Sequence, residues 1–163
     1  MLISVTMVFT TLLCSMVAGI LFAFAVVVMP GLKRLNDGEF LCAFIAIDDV
    51  IQNKQFLFML VWIGSIFSLV FASVLGSAFF QPMGQSLIYS ALIIFILGVQ
   101  LPTILVNIPL NNYIQSLNVE GLTDSAKRSA RSNFESRWVL WNRIRASFAI
   151  NVTVILLVLL FCY

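Results

Sequence analysis

The sequence predicts an all-α protein, a four-transmembrane-helix bundle with a short amphipathic helix between the first and second spans. Two observations carry that prediction. The 163 residues are 61% hydrophobic and 10% charged, against about 45–50% apolar and about 25% charged in soluble domains. Charge is absent from residues 1–32, 55–119 and 146–163, so all nine Lys/Arg and all seven Asp/Glu fall in two blocks, 33–54 and 120–145. So little polar surface cannot cover a water-facing globule, and so much apolar surface is incompatible with disorder. The chain reads as a single integral membrane domain over 1–163, with spans at about 2–29, 55–80, 86–107 and 138–163.

The first span, Leu2–Met29, is uncharged and long enough to cross a hydrocarbon core of about 30 Å with some tilt. It lacks the basic leader and small-residue cleavage site of a signal peptide, so it reads as a retained span. It is expected to stop at Met29-Pro30-Gly31-Leu32-Lys33-Arg34, because proline disfavours a helical predecessor. Asn36-Asp37-Gly38-Glu39 then offers a side-chain acceptor and acidic residues for a helix start. Phe40, Phe44, Ile47 and Ile51 recur on one face of that helix, with Asp49 pointing away and Asp48 on the flank.

Gln55–Phe80 is the second span, Gln81-Pro82-Met83-Gly84-Gln85 a tight connection and Ser86–Asn107 the third span, with a kink expected at Gln100 and Pro102. Residues 111–131 read as a loop, with a short helix after Thr123-Asp124. Ser132-Asn133-Phe134-Glu135 reads as a capping box opening a helix that can run to Tyr163.

An excess of Lys/Arg marks the cytoplasmic side. That rule puts loops 30–54 and 108–137 in the cytoplasm and both termini outside. Membrane lipids are the expected partners. Nucleic acid is not, because a dispersed net charge of +2 makes no phosphate-tracking stripe. The chain has no histidine, and Cys14, Cys42 and Cys162 are far apart, so neither a disulfide framework nor a zinc site is expected. No glycine-rich strand–turn–helix unit is present to hold a dinucleotide. The expected cofactor is none.

Two segments could carry chemistry. Asn107-Ile108-Pro109-Leu110-Asn111 closes the third span. Its amides can donate and accept hydrogen bonds to a polar ligand, although asparagine near a following proline is also how many helices end. Trp138, Trp141, Asn142 and Arg145 stand at i, i+3, i+4 and i+7 and should project from one helix face. An aromatic belt with snorkelling arginines accounts for Trp138, Arg137 and Arg143. It accounts less well for Asn142 and Arg145 deeper in the span, where an ionisable group points to function.

Met29-Pro30-Gly31-Leu32, Asn107-x-Pro109-x-Asn111 and Trp138-x-x-Trp141-Asn142-x-x-Arg145 together resemble the anthrone oxygenase-like family of small four-helix membrane proteins. The resemblance implies a bundle in which these motifs meet near the cytoplasmic face. For some members it also implies oxidation of an anthrone to an anthraquinone by molecular oxygen. The corresponding expectation is an oxidoreductase that takes a lipophilic aromatic small molecule. Arg145, Asn142, Asn107 and Asn111 would be its catalytic groups, and Trp138, Trp141 and Asp48 would bind substrate. Among the carboxylates, Asp48 is the best placed to accept a proton, although a solvated position on the helix flank is its more ordinary role. The alternative is a non-catalytic membrane protein that binds a lipid headgroup or a partner through the same cluster.

Overall fold

The computed structural model describes residues 2–162. The chain runs through helices α1 (Leu2–Leu32), α2 (Asp37–Gln52), α3 (Phe56–Phe79), α4 (Pro82–Gln115) and α5 (Asp124–Cys162), with a 3-10 turn at Val119–Gly121. α1, α3, α4 and α5 are each long and apolar enough to cross a membrane. α1 packs on α3 and α5, and α4 packs on α5 and α3, closing a four-helix bundle. Its outward face is apolar, with Phe9, Phe67, Phe71, Ile104 and Leu105 exposed, as hydrocarbon surroundings require. The loops after α1 and α4 lie at one end with both charged blocks. The expectation for Tyr163 falls outside the described residues.

α2 begins where its sequence says. Asn36 Oδ1 accepts the Glu39 N–H at 2.9 Å and the Asn36 N–H is received by Glu39 Oε2 at 3.2 Å, a reciprocal capping box. Phe40 and Phe44 are buried against α5, so the amphipathic helix packs on the bundle and forms a cap over its charged end.

Three boundaries differ from expectation, and proline accounts for two of them. α1 continues through Pro30 to Leu32, and α4 continues past Asn107, through Pro102 and Pro109, to Gln115. Each of these prolines comes two residues after a π turn: Phe24–Val28, Ile96–Gln100 and Thr103–Asn107. The residue just before each proline reaches back five positions, Met29 N–H to Phe24 O, Leu101 N–H to Ile96 O and Ile108 N–H to Thr103 O. A proline ring normally collides with the carbonyl four residues earlier. The widened turn makes room for it, so the helix runs on. The loop expected over 111–131 shrinks accordingly to 116–123.

The third difference is the start of α5. Thr123 Oγ1 accepts the Ala126 N–H at 3.3 Å, and the helix runs unbroken for 39 residues, with Ser132 in its interior. Glu135 pairs with Arg131 at 2.8 Å instead of capping. At 1.5 Å per residue α5 is about 58 Å long, nearly twice the hydrocarbon thickness, so its first turns stand outside the bilayer with α2 and the end of α4.

Two cores result. The membrane core interlocks Leu13, Val17, Leu69, Ile88, Phe95, Val152 and Leu156. The cap core, built on Phe40, Leu41, Phe44, Ile114 and Phe134, ends at Trp138. Phe134 meets Phe44 edge-on at 4.6 Å between ring centroids, and Phe44 meets Trp138 edge-on at 5.3 Å. Arg131 ties the cap together, donating to Leu35 O at 2.8 Å and Lys33 O at 3.0 Å and lying 4.4 Å over the Phe40 ring.

Candidate active site

A cavity of about 210 Å³ lies at the seam between the two cores. Ile20, Leu21 and Phe24 of α1 form one wall, and Phe44, Ile47, Asp48 and Ile51 of α2 close the charged end. Phe58, Met59 and Trp62 come from α3, Thr103, Asn107, Ile108 and Asn111 from α4, and Trp138, Asn142 and Arg145 from α5. The lining is mostly apolar with a few converging polar groups, the usual make-up of a small-molecule site.

Six of the seven site residues expected from sequence line this cavity. Trp141 is the exception: it is half-buried and outside the lining. At about 100° per residue, Trp138, Asn142 and Arg145 fall within about 60° of one another. Trp141 sits about 100° from Asn142, because an i, i+3 step from Trp138 falls about 60° short of a full turn.

Asp48 corrects a second expectation. It is 3% exposed rather than a solvated flank. Asn111 donates to its Oδ1 at 2.7 Å, and Gln115 and Gln52 donate to its Oδ2 at 3.1 and 3.2 Å. Gln115 also donates to Ile45 O at 3.1 Å, locking α2 to α4. Asn111 Oδ1 in turn accepts the Trp138 indole N–H at 2.7 Å. The carboxylate, an amide and an indole thus form one continuous chain along the cavity.

A second polar group forms around Arg145. Its Nη1 donates to Thr103 Oγ1 at 2.8 Å and its Nη2 to Asn142 Oδ1 at 3.0 Å. Asn142 Nδ2 donates to Leu21 O at 3.0 Å, so its acceptor is turned toward the arginine. Arg145 is 4% exposed. Among the described residues neither Asp48 nor Arg145 takes part in an ion pair. Among the described residues three buried side-chain atoms have no hydrogen-bond partner: Arg145 Nε, Asn107 Oδ1 and Gln100 Nε2. Buried polar atoms are seldom left so, and Arg145 and Asn107 both line the cavity. Asn107 spends only its Nδ2, at 3.5 Å from Trp138 O.

Sequence reasoning missed Phe58 and Trp62, which stack at 5.5 Å with 17° between ring planes and line the opposite wall. An aromatic pair at i, i+4 inside a Phe-rich span gives no sign of facing inward. Thr103, Gln52 and Gln115 were also missed. Thr103 and Gln115 do stand at i−4 and i+8 from Asn107, which is a readable polar ladder once the helix is known to continue.

Geometry and fold define a membrane-embedded bundle with a buried, mostly apolar cavity that carries a carboxylate and a guanidinium. The model of the anthrone oxygenase family matches residues 52–155, and the chain belongs to that family. The matched stretch contains every cavity residue of α3, α4 and α5, whereas Asp48 lies outside it. Searches of curated proteins and of solved structures give no match to the chain.

Proposed function

We propose that the protein is an oxygenase-type redox enzyme for a flat, lipophilic, anthrone-like phenolic substrate. The observation that carries this reading is a buried carboxylate and a buried guanidinium, unpaired with each other, on the wall of one apolar cavity. An anthrone-type ketone has an activated CH₂ whose proton loss leaves a delocalised anion. Asp48 accepts that proton as general base. Arg145 and the amides of Asn107, Asn111 and Asn142 stabilise the charge spread onto ring oxygens. Trp138 and the Phe58–Trp62 pair hold the ring system by aromatic contact.

The carbanion then reduces dioxygen. A C–O bond forms, a proton returns to give a hydroperoxide, and loss of the second C–H proton with O–O cleavage gives the ketone and water. The balance is R₂CH₂ + O₂ → R₂C=O + H₂O. No metal or organic cofactor has a part in this scheme. The chain has no histidine, and no three Cys, Asp or Glu side chains cluster among the described residues. Stoichiometric iron or copper, or a flavin or Soret band in the purified protein, would contradict it.

The direct test is oxygen uptake by protein in lipid vesicles supplied with anthrone. Anthraquinone should appear one-for-one with oxygen consumed, and Arg145→Leu should abolish it. Uptake no faster than in empty vesicles would remove the oxygenase reading.

A further inference from the structure

Three of the four seams between neighbouring spans are extensively packed. α1 packs along α3 and α5, and α5 packs along α4 through both of its π turns. The charged end is closed by α2, whose Asp48 is tied to α4 and whose Phe44 meets Trp138. The fourth seam behaves differently. Close packing of α3 on α4 is confined to Pro82–Phe95 of α4. Beyond it the Trp62 indole N–H reaches Gln100 Oε1 at 3.1 Å, and toward the charged end the two helices part around the cavity.

The edges of this fork are apolar and reach the bundle surface. Met59 is half-buried and Ile108 is 42% exposed although both line the cavity. Phe56 and Leu57 beside them are exposed. No charged residue lies on either edge, since 55–119 carries none. An opening bordered this way faces acyl chains and excludes ions.

We propose that the fork between α3 and α4 is a lateral doorway through which a flat apolar molecule passes from the bilayer into the cavity, with Met59 and Ile108 as its posts. The proposal rests on the reading that the cavity holds such a molecule, but it does not need turnover.

The test uses an azide-bearing anthracene dissolved in phosphatidylcholine vesicles containing the full-length protein, with a light flash soon after mixing and mass spectrometry of the labelled sites. Wild type should be labelled at the doorway and, inside, at Phe44 and Trp138. The Met59→Trp, Ile108→Trp double variant should lose the interior labels while keeping its thermal midpoint. The Met59→Ala, Ile108→Ala double variant should gain interior label sooner, which guards against misfolding of the bulky pair. Interior labelling that is absent in wild type, or unchanged in both double variants, would overturn the doorway. Interior labelling without anthrone-dependent oxygen uptake would instead overturn the oxygenase reading and leave the doorway standing.

Discussion

The membrane core and the seam beneath it bury polar side chains in opposite ways. In the membrane core each buried hydroxyl closes on a backbone carbonyl: Thr11 on Met7 O at 2.7 Å, Ser73 on Leu69 O at 2.8 Å and Thr10 on Ser68 O at 3.1 Å. Nothing there is left for a ligand, and such groups do no more than permit close helix contact. At the seam the buried groups are amides, a carboxylate and a guanidinium, and they bond mostly to other side chains. Arg145 and Asn107 each keep an unpartnered atom. The satisfied hydroxyls hold helices together, whereas two of the three unpartnered atoms line the cavity. Substitutions at the seam should therefore alter chemistry first, and those in the membrane core stability first.

The sharpest way to break that contrast is Asp48→Asn. Removing the proposed general base should lower anthrone-dependent oxygen uptake by about 10²–10⁴-fold, measured in vesicles with the bound fraction of anthrone followed separately. Unchanged turnover would mean that the carboxylate only fastens α2 to α4. Next is Arg145→Lys. An ammonium cannot span Thr103, Asn142 and the substrate oxygen with one planar fork, so a loss of about 10²–10³-fold is expected. Wild-type rates with lysine would reduce Arg145 to an anchor.

On the other side of the comparison stands Gly98, where an added Cβ would lie 2.5 Å from the Phe148 ring. Gly98→Ala should cost about 1–3 kcal/mol of stability through overpacking, read as a lower thermal midpoint. The KM for anthrone of the surviving protein should stay near wild type. The smallest expected effects come from the two tryptophans of α5. Trp138→Phe deletes the N–H that holds Asn111, a loss of about 1 kcal/mol that should appear as a several-fold weaker rate. Trp141→Phe, outside the cavity, should leave uptake unaltered.

What could be read from sequence divides along the same line. The four spans follow from hydropathy and the α2 start from a four-residue box, both local properties. The box at Ser132 misled because Ser-x-x-Glu also occurs inside helices, where Glu135 has an i−4 arginine to pair with. The burial of Asp48 was not legible, since it depends on Gln52, Asn111 and Gln115, two of them on a distant helix. Arg145 and Asn142 were legible because a charge and an amide deep in an apolar span have few structural uses. Trp62 was invisible for the converse reason: in a run of Phe, Leu and Ile, an inward indole looks like an outward one.

The pairing of each π turn with a proline two residues later has a consequence for how such a chain can vary. A turn that bonds five residues back holds one residue more than an α turn, so everything beyond it is rotated by about 100° relative to an uninterrupted helix. The proline is thus a phase marker, and α4 slips phase twice between Ile96 and Asn107. Deleting a single apolar residue between Thr103 and Asn107 would leave the hydropathy profile and the length of the span almost unchanged. It would let the π turn close as an α turn, leaving Asn111 and Gln115 facing Asp48 but pressing the Pro109 ring onto the carbonyl four residues before it. The extra residue of each π turn thus serves the proline ring, and a chain without that proline reaches the same site with one residue fewer.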